Sequence, residues 1–169
     1  LLKKNRNSFV SVTHISNVFG TINDIKRICT LAHKHDSYVM IDGAQSLAHT
    51  KIDVQELDCD FFAISGHKTF GPTGVGAVYI KNTLLDKVKP YQTGGATIQS
   101  VTYEKSVLLK SPYKFEAGTQ NIAGVIGFGK ALEFIEQIGY EKIEEKENEL
   151  YQYLQNELEK IEDIVLYNT

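Results

Sequence analysis

The chain has 169 residues, 42% of them hydrophobic and 23% charged, with a formal net charge of -3. That is enough for one ordinary domain, and the charge balance gives no basic footprint for nucleic acid. No apolar run approaches the ~20 residues needed to cross a bilayer, so a membrane partner is not expected either.

Residues 1–8 are polar and finish a preceding helix or loop. Phe9 to His14 is a β-branched run, a predicted strand. It ends in Ile15-Ser16-Asn17-Val18-Phe19-Gly20, a loop with polar residues at the strand tip. By itself Asn17 reads as a turn residue bonding its own backbone. Thr21 to His35 reads as a helix, with Asn23 as N-cap and Asp24 in the first turn. Ile25, Ile28, Cys29 and Ala32 give it one apolar face, and Lys34 and His35 suit its end. His33 and His35 point to different faces of such a helix, which argues against a metal pair.

Tyr38 to Ile41 is a nearly apolar strand, the pattern of a parallel strand covered on both faces. Asp42 ends it, completing a strand–helix–strand unit. Residues 43–59 loop back through a short helical turn. Phe61 to Ile64 is a third buried strand, ending in Ser65-Gly66-His67-Lys68. A Gly/Pro connection over 71–76 leads to a fourth strand, Ala77 to Ile80. Too few residues separate the last two strands for a crossover helix. The fourth strand should therefore run antiparallel to its neighbours or lie elsewhere in the sheet.

Residues 83–88 form a short helix. Residues 90–120 are long and weakly periodic, and their aromatics and hydroxyls argue for order with a short hairpin. Asn121 to Ile138 reads as a helix of small residues stopped by Gly139. Tyr140 to Asp163 reads as a long amphipathic helix, its apolar stripe broken by Glu147 and its charges a solvated face. The sequence starts without Met, and 164–169 (IVLYNT) reads as a strand just starting, so a piece of a longer protein is expected. Leu1-Leu2-Lys3-Lys4 is too short an apolar start for a signal peptide. The flanks of Cys29 and Cys59 look like packing positions. Buried thiols suit a reducing compartment, and a cytoplasmic location follows as the expectation.

Several motifs are excluded. The Gly66-His67-Lys68-Thr69 run lacks the glycine five places earlier that a phosphate loop needs. Gly71-x-x-Gly74-x-Gly76 is a dinucleotide fingerprint reversed, in the wrong context. The two cysteines lie too far apart for zinc spacing, and no metal site is expected. Lys68 by itself is most often a surface lysine. Asp42 at the end of an adjacent strand changes that reading. A lysine able to form a Schiff base, with an aspartate to partner a pyridinium nitrogen, is the signature of a pyridoxal 5'-phosphate (PLP) site. Lys68 would then move protons. Ser65 and His67 stand beside it as phosphate donors, and Gln45 is placed to reach the phenolic oxygen.

These residues fall in a longer pattern: Asp42-Gly43-Ala44-Gln45, Cys59-Asp60-Phe61, Ser65-Gly66-His67-Lys68 and Gly71-Pro72-Thr73-Gly74-Val75-Gly76. Upstream lies Ser16-Asn17-Val18-x-Gly20-Thr21, and downstream Phe115-Glu116-Ala117-Gly118-Thr119. Together they resemble the class V aminotransferase-type PLP enzymes, in particular cysteine desulfurases of the SufS/NifS-like kind. The resemblance covers nearly the whole chain. Lys114 and Gln120 depart from the family's Arg and Pro at the two ends of the downstream motif. Thr93-Gly94-Gly95 stands where three glycines are common.

The resemblance implies an α/β fold, a mostly parallel sheet flanked by helices. Residues 1–163 would be part of the PLP-binding large domain, and 164–169 the start of a truncated small domain. Lys68 would hold PLP, Asp42 would face the pyridine nitrogen, and Gln45 and Asn17 would lie near the phenolic oxygen and substrate. Ser65 and His67 would bind the phosphate. Thr119 would reach the phosphate of the neighbouring subunit in a homodimer. L-Cysteine would become L-alanine, leaving a persulfide on the enzyme. The sulfur would pass to an acceptor protein for iron–sulfur cluster assembly.

The family's ring-stacking histidine and N-terminal phosphate-binding loop would precede residue 1. Its persulfide cysteine and carboxylate-binding arginine would follow residue 169, so the isolated piece should be inactive. Neither Cys29 nor Cys59 matches the persulfide cysteine. A selenocysteine lyase or a kynureninase-like hydrolase would share Asp42 and Lys68. A non-catalytic scaffold using the fold without cofactor is the alternative of a different class.

Overall fold

The computed structural model describes residues 1–167. A four-stranded sheet organises it, with strands in chain order: β1 (Phe9–Thr13), β2 (Tyr38–Asp42), β3 (Phe61–Ser65) and β4 (Gly76–Ile80). β1, β2 and β3 are parallel, and β4 pairs antiparallel with β3, one of the two arrangements the short connection allows. The sheet is therefore mostly parallel, and all three parallel strands deliver their carboxyl ends to one edge of the layer.

Helix α1 (Ile25–His33) links β1 to β2 and lies on one face of the sheet. Ile25, Cys29 and Ala32 pack with Val39, Ile41, Cys59 and Phe62 to form the core. The helix is shorter than its sequence pattern predicts, and its N-cap is Asp24, not Asn23. The Asp24 carboxylate accepts from the Arg27 N–H at 3.0 Å. Asn23 is taken by the strand tip: its amide donates to the Thr13 carbonyl at 2.9 Å, and its backbone N–H donates to the His14 carbonyl. Thr21 and Ile22 are likewise held outside the helix by the Ile15–Ile22 bridge. Asp36, left-handed at φ 57°, ends the element, and the Ser37 N–H returns to the Ala32 carbonyl.

β2 is covered on one face alone among the described residues. Val39 and Ile41 are fully buried, whereas Tyr38 is 41% exposed. Phe9 stacks on Phe61 along this second face and is itself largely exposed. Among the described residues α1 supplies only one layer, so the expected cover of the second face is not seen within them.

Helix α2 (Val54–Leu57) is the short turn before β3, capped by Asp53. The predicted helix at 83–88 is reduced to a 3-10 turn at Asn82–Leu84. The 90–120 region holds a hairpin, β5 (Ile98–Val101) and β6 (Ser106–Leu108). Helix α3 (Ile122–Ile138) is capped by Asn121, whose side chain also donates to the Gly74 carbonyl at 3.3 Å. It thereby sits against the loop before β4. Gly139 separates it from α4 (Tyr140–Leu158).

α4 stops short of Asp163. Leu150, Leu154 and Ile161 are more than half exposed, so its last turns have no packing to add to propensity. Glu147 breaks the stripe because it pairs with His49, 2.6 Å away. Residues 164–167 take no strand pairing; the rest of that predicted strand lies outside the described residues. No helix among them is long and apolar enough to cross a membrane.

Candidate active site

The carboxyl ends of β1, β2 and β3 stand side by side. In the parallel register Thr13 faces Asp42, and Asp42 faces Ala63. Side chains alternate along a strand, so Ser65, two residues past Ala63, shares the face of Asp42. Register thus puts Asp42 and Ser65 on one face of the sheet. Asp42 is exposed. One of its carboxylate oxygens accepts from the Ala44 N–H at 3.0 Å, which leaves the other for a ligand.

After Ser65 the chain turns through a 3-10 segment, Gly66–Lys68. Backbone bonds fix this turn: the Gly66 N–H donates to the Val75 carbonyl, and the Thr69 and Gly71 N–H groups both donate to the Gly66 carbonyl. Fully buried Thr69 returns its hydroxyl to the Ser65 carbonyl at 3.0 Å. A Cβ at Gly66 would lie 2.7 Å from the Val75 carbonyl oxygen, so glycine is required there. The outcome is two adjacent hydrogen-bonding groups, Ser65 Oγ and His67 Nδ1, 3.1 Å apart. Lys68 beside them is half-buried, and its side chain makes no hydrogen bond or ion pair with the described residues.

Gln45 is half-buried in the turn after Asp42. Asn17 is exposed, and the turn-forming role that its sequence position predicts belongs to Ser16 instead. The Ser16 hydroxyl accepts from the Val18 and Phe19 N–H groups at 3.2 Å each. A hydroxyl on a short side chain does this job, leaving the Asn17 amide unengaged among the described residues. Thr119 is not brought to the cluster by any contact. It is exposed on a separate loop, beside Gly118, whose N–H donates to the Gly95 carbonyl.

The sequence pattern passed over His14 and Ser46. Both are buried, and His14 Nδ1 lies 2.8 Å from Ser46 Oγ. A histidine directly after a strand tip and a serine directly after the Asp42–Gln45 turn were the available signal. Burial pushes the His14 ring below its ordinary 6.5. Its unfolded form therefore takes up a proton first, and stability falls as pH drops below about 6.5. In the full-length protein the urea midpoint should fall between ~pH 7.5 and ~pH 5.5 by more than it does in His14→Asn. Equal slopes would remove His14 from that response.

Cys29 and Cys59 are buried free thiols, each pushed by burial up to about 11. Neither is a poised thiolate nucleophile. At the opposite end of the sheet, buried Asp60 accepts from the Val39 N–H at 2.8 Å and lies 2.9 Å from His33 Nε2. That carboxylate anchors β2 to β3 and is remote from Lys68 along the strand.

A lysine, an aspartate, a serine and a histidine thus stand at or just past the ends of two adjacent strands of an α/β layer, where this class of fold places its binding sites. The chain belongs to the aminotransferase class-V family, whose profile matches residues 2–169. It is 48% identical over 162 residues to a probable cysteine desulfurase of Halalkalibacterium halodurans, covering 96% of this chain and 40% of that protein. Among solved structures it resembles the cysteine desulfurase CsdA of Escherichia coli (TM-score 0.88, 39% identity, 91% of this chain and 39% of that one). It also resembles the apo cysteine desulfurase of Thermococcus onnurineus NA1 (TM-score 0.86, 37% identity, 90% and 38%). The chain thus spans about two fifths of the length of the relatives it matches.

Proposed function

We propose that the full-length protein containing this chain is a PLP-dependent cysteine desulfurase of the SufS/NifS-like kind. The observation that carries this reading is the grouping of Asp42, Ser65, His67 and Lys68 on adjacent strand ends. The names of its relatives support the same reading. The donor set fits PLP: a carboxylate with one oxygen left open, a neighbouring hydroxyl and imidazole for a phosphate, and an unpaired amine.

Bound PLP supplies an electron sink for bond changes at the α-carbon of an amino-acid substrate. Lys68 holds the cofactor through Nζ and moves protons at that atom. Asp42 faces the ring nitrogen and keeps a proton on it. Ser65 Oγ and His67 hydrogen-bond the phosphate, while Gln45 and Asn17 serve the phenolic oxygen and substrate side. Thr119 completes the phosphate site of the neighbouring subunit in a homodimer. Residues 1–163 belong to the large domain, and 164–169 open the small one.

The substrate is L-cysteine and the product L-alanine. With both thiols of this chain buried and strongly protonated, the sulfur-carrying cysteine belongs to another part of the protein. An acceptor protein takes the sulfur for iron–sulfur cluster assembly in the cytoplasm. The test is the absorbance spectrum of the full-length protein, read with and without cysteine while alanine is measured. A visible cofactor band that cysteine perturbs, with alanine formed, is the expected result. A protein without the band is a scaffold, and turnover of selenocysteine or kynurenine in place of cysteine would reassign the substrate.

A further inference from the structure

His14 and Ser46 are buried polar residues, and His14 also lines a cleft with Asn23, Asp24, Lys26, Thr50 and Lys51. Their bonding converges on one short segment, the turn from Asp42 to Ser46. The His14 N–H donates to the Asp42 carbonyl at 2.9 Å. The His14 ring meets the Ser46 hydroxyl at 2.8 Å. The Ser46 N–H closes the turn onto the Gly43 carbonyl, and the Ser46 carbonyl accepts from both His49 and Thr50 N–H groups. Ser46 is fully buried and His14 is 8% exposed, so neither partner can exchange this bond freely for water. His14 is fixed in turn from outside, because its carbonyl accepts from the Asn23 N–H at 2.8 Å. One side-chain bond therefore ties the tip of β1 to the far end of a turn whose first residue is Asp42 and whose fourth is Gln45.

We propose that His14 and Ser46 form a buried positioning pair that sets the Asp42–Gln45 turn against the cofactor ring. This rests on the reading of Asp42 and Gln45 as PLP-facing groups. Neither His14 nor Ser46 touches the cofactor; they act through the turn. A carboxylate that must meet a ring nitrogen works only if its backbone is held to within a few tenths of an ångström. Asp42 is exposed and its side chain has a single hydrogen bond of its own, so its aim depends on the turn beneath it. An unpaired polar group left by deleting one partner would be costly at a buried site. The two residues should consequently act as one unit.

The experiment uses the full-length protein in four variants: His14→Ala, Ser46→Ala, the double variant, and His14→Asn, whose amide stands near the place of Nδ1. Cofactor dissociation and the pH titration of the bound-cofactor band are the readouts, with thermal melting of the apo proteins as control. Ser46→Ala removes one oxygen and keeps the fold measurable if His14→Ala does not fold. Ser46→Ala and His14→Ala are expected to lose PLP about tenfold faster and to shift the band's titration. The double variant should be no worse than the worse single, and His14→Asn should restore most of the loss. Lys68→Ala is run alongside. If the parent shows no band, the PLP reading falls and the pair's role with it, whereas a band kept in Lys68→Ala sinks only the Lys68 assignment. If Lys68→Ala loses the band while Ser46→Ala and His14→Ala hold PLP as the parent does, only the positioning role is overturned.

Discussion

In the full-length protein, Lys68→Ala should abolish the visible band of PLP joined covalently to the lysine and cut alanine formation at least about a thousandfold. Gly66, Thr69 and Gly71 fix the backbone around Lys68 through their own N–H groups, and none of those bonds uses the lysine side chain. Its ammonium group also has no ion pair among the described residues to lose. The substitution should therefore leave stability within ~0.5 kcal/mol of the parent, as for a partly exposed side chain with no structural partner. Lys68→Arg separates charge from chemistry. It keeps the positive charge, but a guanidinium does not deprotonate to act as a nucleophile, so the band should be lost there as well. A surviving band in either variant would show that the cofactor is held elsewhere.

Gly43→Ala should destabilise the protein by about 3 kcal/mol, measured as a shift in urea unfolding. A Cβ at this position would stand 2.1 Å from Phe62 Cε1 and 2.2 Å from Phe62 Cζ. The ring is the central side chain of the core, fully buried among Ile25, Cys29, Ile41 and Cys59. It has no free volume to enter, and the Gly43 N–H is bound to the Ala63 carbonyl at 2.9 Å, so the backbone resists moving away. Shrinking the ring with Phe62→Leu should make the double variant less destabilised than the sum of the singles, as expected for two groups sharing one space. A loss under ~0.5 kcal/mol in Gly43→Ala would mean that the turn yields instead. Asp42 precedes this glycine, so the same clash should also weaken PLP binding.

Sequence legibility followed the range of the forces involved. The strands β1 to β3, α1 and α3 were readable because period and β-branching are local. A connection too short for a crossover helix left β4 either antiparallel or elsewhere in the sheet, and its pairing with β3 decided for the first. Lys68, Asp42, Ser65 and His67 were candidates by their place after apolar runs. The common face of Asp42 and Ser65 came from the Asp42–Ala63 register, which joins residues far apart in the chain. The N-cap moved from Asn23 to Asp24 for the same reason. A neighbour ten residues back, Thr13, competed for the Asn23 amide.

By itself, the sequence determined an α/β layer, candidate residues at its strand ends, and a pattern specific enough to name a family. Only the tertiary structure decided that Gly43 cannot carry a Cβ beneath Phe62, that Ser16 and not Asn17 ties its loop, and that His14 reaches Ser46. These depend on close packing and buried hydrogen bonds between distant segments. Such contacts leave no periodic trace in a chain, because each partner's residue type is also compatible with an ordinary surface.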